Sequence, residues 1–412
     1  MKNVMFTKSY KTTRLLLILL VLLFSLLFGV WLLLLLRDPS GSQRGILFID
    51  DKDWFMDWFN TVFYAVGRTP YSWGVAEDRN YAPIVYLMLY PFTRLFPYDI
   101  SGGMSGSDRY DARYEQLPIV GAVVFLIGCY LILFYTLYKT SLLKEHNKLI
   151  ILTLLFLSGV SMNSIERMNI QILTSASLFA YIYLCDRDTL PSKAKTIIGL
   201  LCLAFSAALK LFPAIFGILL LYKKRWKEAA IAFISGILMV LSPFAWVDQP
   251  FTEAFTAYIS GMAQHSSYMT ISDFGFSTPM MLDLLGGASQ QAMQIVAYVF
   301  LILSIAGSYF LKSRWKKIAL LTLPLILTSG QQGYYCLMFL FMPVILFFNE
   351  KHGWIDLSYV VMFAAILSPL QRTAYINGVA ISAKGVINLV LIILNIELVI
   401  EAFISMIHAS HE

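Results

Sequence analysis

The feature that most constrains this chain is a long block of apolar residues near its N-terminus. Leucine, isoleucine and valine fill 15–36 almost without interruption, and the block ends at Arg37-Asp38-Pro39. About 20 such residues are enough for a helix to cross a hydrocarbon core of about 30 Å. Backbone polar groups in lipid must be satisfied within the segment, so the block predicts a transmembrane helix. It is longer than the apolar part of a cleaved signal peptide, about 7–15 residues, and we expect it to be retained.

The composition of the whole chain is that of a protein that crosses a membrane several times. Of its 412 residues, 58% are hydrophobic and 14% are charged, whereas about 25% are charged in a soluble protein. The net charge of +6 does not indicate a nucleic-acid partner, because the basic residues lie in short clusters between apolar blocks. The four cysteines lie in or beside apolar blocks without metal-ligand spacing, and we expect them to be packing residues.

Clusters of lysine and arginine predict which ends of the spans face the cytoplasm. Counting apolar blocks between these clusters predicts an all-α, polytopic integral membrane protein of the plasma (cytoplasmic) membrane. It has about twelve transmembrane helices, and both termini are in the cytoplasm. The clusters lie at 2–14, 139–148, 187–195, 223–227 and 312–317. The predicted spans are 14–36, 117–138, 148–163, 168–185, 195–209, 211–222, 228–246, 292–311, 318–331, 334–348, 355–370 and 385–406.

Two apolar segments need a separate interpretation. A full span over Tyr81–Pro97 would place the basic cluster at 139–148 on the wrong face, so we expect a re-entrant or interfacial element there. The two runs within 195–222 are each short for a crossing and are flanked by basic loops. We expect a tight hairpin that turns at Lys210-Leu211-Phe212-Pro213, and such broken helices usually line a cavity.

This topology predicts a single integral-membrane domain over 1–412, with external loops at about 37–116 and 246–291 and a small one at 371–384. The cytoplasmic loops are too short to build an active site. An active site is therefore expected on the external, periplasmic face of the membrane.

An acidic and aromatic segment directly follows the first span. Four aspartates lie within eight residues, at 50, 51, 53 and 57, among tryptophans and phenylalanines. Asp50, Asp51 and Asp53 are expected to face water or to begin a helix. Asp57 lies inside an amphipathic stretch, 54–64, and shares a helical face with Asp53 through the i, i+4 spacing. A carboxylate there suits a general base that deprotonates a hydroxyl group.

Further polar residues lie where two predicted spans meet. Glu166 and Arg167 are costly at membrane depth, about 2.5–3.5 kcal/mol each, so each is a candidate functional residue. They form either a mutual ion pair that caps a tight turn or an anion or sugar contact at the mouth of a cavity. Asn169 and Gln171 follow within one helical turn and favour the second interpretation.

Two other turns carry polar candidates. Lys210 is either an interfacial lysine that reaches towards water or a phosphate contact, a role that suits its compact charge. Gln331 and Tyr335 are the first and last residues of a polar and aromatic break, Gln-Gln-Gly-Tyr-Tyr, between two apolar blocks. That break either binds sugar hydroxyls or is an ordinary polar turn.

With these residues in view, the chain resembles the GT-C glycosyltransferases, and within them family 87, the polyprenyl-phosphate-mannose-type, alpha-mannosyltransferase-like enzymes. The resemblance covers most of the chain through motifs in the family's order. These are Asp57-Trp58-Phe59 with Gly67 to Tyr71, Tyr81-Ala82-Pro83, Glu166 to Gln171, Ala208 to Pro213 with the basic loop at 223–226, and more loosely Gln331 to Tyr335. The family often has a histidine in the last turn, where this chain has glutamines.

The resemblance implies a GT-C-like fold and an external catalytic aspartate, a role that falls on Asp57 with Asp53 as a second candidate. It implies transfer of a hexose such as mannose, with inversion, from a polyprenyl-phosphate donor to an envelope glycolipid or glycan acceptor. The donor phosphate would lie against Lys210 and Arg167, in contact with membrane lipid. No cofactor is required by these residues, and the segment from Asp50 to Asp57 is also compatible with a divalent metal.

Three other classes of protein remain open at the level of sequence. A transporter or flippase of lipid-linked sugars would need two alternating halves, and no internal repeat is seen. An envelope glycan polymerase or ligase shares the membrane, the lipid carrier and the external site. Such enzymes more often carry arginine and histidine in a large central loop, and 246–291 contains no lysine or arginine. A non-enzymatic assembly scaffold is the third class.

Overall fold

The computed structural model describes residues 2–38, 54–72, 80–96, 112–185, 192–268, 274–276, 278–328, 333–370, 373–376 and 379–410. These residues are almost entirely helical. Within the described ranges the exception is an antiparallel hairpin of β1 (Thr373–Ile376) and β2 (Val379–Ser382). The predicted helical architecture is therefore confirmed, apart from this short hairpin.

The chain divides into two compact units, each built from separate segments of sequence. The first unit comprises Met1–Ile49, Leu137–Asn163 and Thr270–Glu412, and the second comprises Asp50–Thr136 and Ser164–Met269. The α-helices in chain order are α1 (Lys2–Arg37), α2 (Met56–Ala65), α3 (Pro83–Leu89), α4 (Gln116–Thr140), α5 (Glu145–Phe156), α6 (Gly159–Arg167), α7 (Gln171–Cys185), α8 (Lys193–Leu209), α9 (Ile218–Tyr222), α10 (Trp226–Leu241), α11 (Phe251–Tyr268), α12 (Pro279–Leu284), α13 (Gln290–Phe310), α14 (Arg314–Thr328), α15 (Phe341–Asn349), α16 (Leu357–Leu367) and α17 (Ala383–Ser410).

Several of these helices are long and apolar enough to cross a membrane. Within the described ranges there are five, and a sixth if α5 and α6, which meet at a 54° bend, form one span. The chain is thus a multi-pass membrane protein. The five are Thr12–Arg37, Gln116–Thr140, Trp226–Trp246, Gln290–Phe310 and Ala383–Ala409.

The predicted count of about twelve spans is not established by these helices. Several of the predicted spans correspond to shorter helices, such as α7 and α14 with 15 residues each and α16 with 11. A helix needs about 20 residues to cross the hydrocarbon core, although the range begins near 17. In α14 the apolar residues from Ile318 to Leu327 are all buried by the protein itself. Apolar sequence alone does not distinguish a lipid-facing span from a helix packed among its neighbours.

The second unit contains the two irregular elements that the sequence predicts, an interfacial element and a tight hairpin. The apolar stretch at 81–97 forms α3 and a short 3-10 helix, Tyr90–Leu95, which together have the length of an interfacial element and not of a span. The chain leaves α8 at Leu209, and Lys210 has an extended backbone. A 3-10 helix, Phe212–Gly217, then packs back against α8, which is the predicted hairpin.

Aromatic packing organises the second unit. One face of α2 is buried in a cluster with residues of α3, with Met168 and Ile170 from the turn between α6 and α7, and with Leu209 at the end of α8. Because burial of apolar surface is the main favourable term in folding, this cluster fixes where these helix ends meet. The polar residues at the same ends are brought together as a consequence.

Candidate active site

Asp57 lies in the first turn of α2, and the chain enters that helix through a left-handed residue. Phe55 has φ +60°, which is uncommon for a residue with a side chain. The Phe55 amide donates a hydrogen bond of 2.6 Å to the Glu166 carbonyl, which ties the start of α2 to the end of α6. The hydroxyl of Thr61 donates to the Asp57 carbonyl at 2.5 Å. Trp58, on the adjacent side of the helix, is buried, whereas Asp57 keeps 15% of its side chain exposed.

The turn between α6 and α7 presents two further polar side chains. Met168 is left-handed, with φ +52°, and its amide donates to the Ser164 carbonyl, so the helix ends at Arg167. A left-handed residue after the last turn is the usual way to end a helix, although glycine is the common choice. This reversal lets Arg167 and Asn169, two positions apart in sequence, reach the same carboxylate.

The Asp57 carboxylate accepts one hydrogen bond on each oxygen. Nη2 of Arg167 donates to Oδ1, and Nδ2 of Asn169 donates to Oδ2 at 2.8 Å. The Arg167 side chain is 25% exposed. The carboxylate is therefore held in one orientation by a charged donor on one oxygen and a neutral donor on the other. It stays partly accessible from outside the protein.

Asn169 is itself held in a single orientation. Its Oδ1 accepts the Gln171 amide at 2.9 Å, an Asx turn at the start of α7. The second N–H of Nδ2 donates to the Tyr81 hydroxyl at 3.2 Å. A flipped amide would lose these bonds and turn its oxygen towards the carboxylate, so the hydrogen bonds themselves assign the orientation.

Tyr81 joins the site from the segment before α3. Pro83 occupies the first position of α3 and the preceding Ala82 is extended, as expected for a residue before proline. The Tyr81 carbonyl accepts a hydrogen bond of 2.9 Å from the hydroxyl of Tyr71, and its ring contacts Tyr86 edge to face. Burial and the neighbouring Asp57 carboxylate raise the pKa of Tyr81, a shift that the Asn169 hydrogen bond and Arg167 oppose.

The structure thus unites three of the site residues named from sequence, Asp57, Arg167 and Asn169. Glu166 is buried and contributes its carbonyl to Phe55. Gln171 is buried in the first turn of α7, where its Nε2 donates to Ser175 at 3.1 Å. Gln171 reaches the site through its backbone amide, which orients Asn169.

Lys210 lies at the end of α8, next to the buried Leu209 that packs in the same cluster as Trp58 and Met168. The Lys210 side chain is partly exposed, and its ammonium lies 5.9 Å from the centre of the Phe212 ring. Its position at the rim of this cluster is compatible with the phosphate contact expected from sequence.

The remaining candidates lie elsewhere or outside the described part of the chain. Tyr335 belongs to the first unit, in a 3-10 helix, Tyr334–Leu340, and is partly buried. Asp53 and Gln331 lie outside the described residues. Among the residues that the structure does describe, no group of three or more His, Cys, Asp and Glu side chains could hold a metal ion.

Sequence reasoning gave no chemical role to Tyr81. The sequence contained its motif, Tyr81-Ala82-Pro83, but a tyrosine before an apolar run is also typical of a membrane interface. The hydrogen bond to Asn169 distinguishes a tyrosine of the site from a tyrosine at a membrane interface. It joins residues 88 positions apart in the chain. A pattern in the sequence alone does not contain that pairing.

The chain is thus a multi-pass helical membrane protein in which a carboxylate is held among polar side chains at converging helix ends. The model of glycosyltransferase family 87 matches residues 80–329, more than half of the chain. The chain belongs to this family, and it is a glycosyltransferase that takes a sugar donor and an acceptor. A comparison with curated proteins gives no match.

Proposed function

We propose that this enzyme transfers a hexose, with mannose as the first candidate, from a polyprenyl-phosphate donor to an envelope glycolipid or glycan. In this proposal the enzyme lies in the plasma membrane with about twelve crossings, and the reaction takes place on the external face. The observation that carries the proposal is the Asp57 carboxylate held between Arg167 and Asn169 in the second unit.

Asp57 acts as the general base. The acceptor hydroxyl gives its proton to the carboxylate while its oxygen forms a bond to the anomeric carbon of the donor sugar. The bond between that carbon and the phosphate oxygen breaks, and the polyprenyl phosphate leaves with the electron pair. A single displacement of this kind inverts the anomeric configuration. A general base of this type contributes roughly 10²–10⁴-fold to the rate.

Arg167 connects the base to the donor. Its guanidinium carries several donors in a planar fork, so it can contact Asp57 and an anionic phosphate together. Charge that develops on the leaving phosphate is stabilised by this cation, whereas Lys210 contributes a contact that holds the phosphate of the bound donor. Because Arg167 also fixes the carboxylate, binding of the donor and orientation of the base depend on the same side chain.

The test is a transfer assay with purified protein. Labelled polyprenyl-phosphate mannose, glucose and galactose are each offered with a panel of octyl hexosides, and products are separated by chromatography. We expect transfer from at least one donor, and a loss of at least about 10²-fold in Asp57→Asn. Asp248→Asn is the matched control, since Asp248 is an exposed carboxylate of the same unit, and it should retain full activity.

Two outcomes would overturn the proposal. Full activity in Asp57→Asn would remove the general base, and transfer from a nucleotide sugar but from none of the lipid donors would remove the donor class. Repeated addition of units to a growing glycan would instead place the enzyme among the envelope polymerases.

The external orientation has its own test. A cysteine is introduced at the exposed Arg94 in the second unit, and a second variant places it at the exposed Lys227, in the first turn of α10 and within the basic cluster at 223–227. We expect a membrane-impermeant maleimide to label Arg94→Cys in intact cells, and Lys227→Cys only after permeabilisation. The reverse pattern would place Asp57 on the cytoplasmic side.

A further inference from the structure

Tyr81 contributes a phenol hydroxyl to the group of polar side chains around Asp57. This hydroxyl accepts a hydrogen bond from Asn169, and a phenol can also donate one. Within the described part of the chain, the Tyr81 hydroxyl donates to no protein acceptor. Burial and the Asp57 carboxylate both raise the pKa of Tyr81, so its proton is present throughout the physiological pH range.

Tyr81 is also fixed in place. Its carbonyl is held by the Tyr71 hydroxyl, and its ring packs against Tyr86 and borders both aromatic clusters of the second unit. The proline at the start of α3 restricts the backbone next to it. A donor held this firmly loses little conformational entropy when it binds a ligand, which favours a specificity-determining contact.

The two sides of the Asp57 carboxylate differ in charge. Arg167 lies on the Oδ1 side, where a cation suits an anionic phosphate. On the Oδ2 side lie Asn169 and Tyr81, both neutral. Because one amide nitrogen of Asn169 bonds to both the carboxylate and the Tyr81 hydroxyl, these two groups are no farther apart than the width of one sugar ring.

We propose that Tyr81 forms an acceptor subsite, in which its hydroxyl donates a hydrogen bond to a hydroxyl of the acceptor sugar next to the one that attacks. This inference rests on the proposed function and adds to it the place and the chemistry of acceptor recognition. The acceptor is a neutral polyol that binds on the Oδ2 side of Asp57, while the donor phosphate binds on the Oδ1 side. Tyr81 selects for the hydroxyl beside the reacting one.

The experiment removes one hydroxyl group from the enzyme, removes single hydroxyl groups from the acceptor, and compares the resulting losses in kcat/KM. Parent and Tyr81→Phe are assayed with the octyl hexoside that the parent uses best and with its monodeoxy analogues. We expect Tyr81→Phe to lower kcat/KM for the acceptor about 3- to 10-fold, the scale of one neutral hydrogen bond, with the donor KM unchanged. One monodeoxy acceptor should show a similar loss with the parent and no further loss with Tyr81→Phe, since the two changes remove the same contact.

The matched control is Tyr90→Phe, a partly buried tyrosine of the same segment whose ring packs on Trp246. It should behave as the parent. The subsite would be contradicted if each monodeoxy acceptor lost as much kcat/KM with Tyr81→Phe as with the parent. A rise in the donor KM alone would also contradict it. If Tyr81→Phe does not fold, Tyr71→Phe releases the Tyr81 carbonyl and should weaken the same acceptor dependence. Absence of transfer by the parent itself would instead contradict the proposed function.

Discussion

Each unit of the protein contains an ion pair with nearby tyrosine, but the two pairs are built in different ways. In the second unit, Asp57 pairs with Arg167 and shares Asn169 with Tyr81. In the first unit, Glu401 accepts from Lys316 through both oxygens, at 2.7 and 2.5 Å, and from the Tyr359 hydroxyl at 2.8 Å. Each carboxylate therefore has one cationic and one neutral donor.

The difference lies in the backbone that supports each pair. Lys316, Tyr359 and Glu401 are on regular helices, and the lysine ammonium lies 5.6 and 5.2 Å from the ring centres of Trp315 and Tyr359. The Lys316 charge therefore contacts a carboxylate and lies near two aromatic rings of the protein. Asp57, Arg167 and Asn169 lie at helix ends joined by left-handed residues, a backbone strain that often accompanies functional sites.

The type of residue therefore does not distinguish a structural ion pair from a functional one. The Lys316–Glu401 pair joins α14 to α17, and the Tyr359 hydroxyl ties α16 to the same carboxylate. The Asp57 group holds a carboxylate that stays accessible, with a different kind of donor on each side. Variants of the Asp57 group should therefore lower activity much more than stability. Variants of the Lys316–Glu401 pair should lower stability and leave the activity of the folded protein unchanged.

Among the residues around Asp57 and the Lys316–Glu401 pair, Arg167 should give the largest effect. We expect Arg167→Ala to lower kcat/KM for the donor about 100-fold, since both the phosphate contact and the orientation of Asp57 are lost. Arg167→Lys keeps the charge without the planar fork and should lose about 10-fold. The exposed Arg94→Ala is the control, measured in the same transfer assay. Wild-type activity in Arg167→Ala would show that its ion pair is only structural.

Asn169 should give a smaller effect that is confined to the chemical step. Asn169→Ala removes one hydrogen bond from Asp57 and the link to Tyr81, so the base loses its orientation and kcat should fall about 10-fold. The donor KM should stay unchanged, because the cation remains. Steady-state kinetics with varied donor separate the two constants. A higher donor KM at unchanged kcat would contradict this role.

Much of this architecture follows from apolar periodicity, yet parts of it do not. Runs of leucine and valine predict helices, and Pro83 and Pro213 predict where short elements begin. The number of crossings is not predictable in the same way, because α15 is as apolar as a span although the protein buries almost all of it.

The candidate site was predictable only in part, because the sequence shows its residues but not how they pack together. Arg167 is visible in the sequence as a charge that is costly near lipid, Asn169 follows it within one helical turn, and Asp57 lies in an amphipathic, aromatic stretch just after a span. Their arrangement depends on packing between segments more than 100 positions apart, and on left-handed residues at Phe55 and Met168 that glycine-based rules do not anticipate. Tyr81 has no such cost, and so it was found only through its hydrogen bond.

Lys210 should give a modest effect on donor binding alone. Lys210→Ala should raise the donor KM about 5-fold with kcat unchanged, because a partly exposed lysine contributes modestly to phosphate binding. Lys227→Ala, which changes an exposed lysine in the first turn of α10, should have no effect and is the control. An unchanged donor KM in Lys210→Ala would contradict the phosphate contact.

The smallest effect on activity is expected where the charges are most firmly paired. In Glu401→Gln the Lys316 ammonium loses its counter-ion, but the side chains are 17% and 34% exposed, so water compensates in part. The cost should be about 1 kcal/mol, and Tm should fall by roughly 2 °C or less for a chain of this size. Transfer per folded molecule should equal that of the parent, and the exposed Lys312→Met should change neither quantity. A loss of activity in Glu401→Gln at unchanged Tm would show that the first unit also takes part in the reaction, because a purely structural pair acts on the rate only through the folded population.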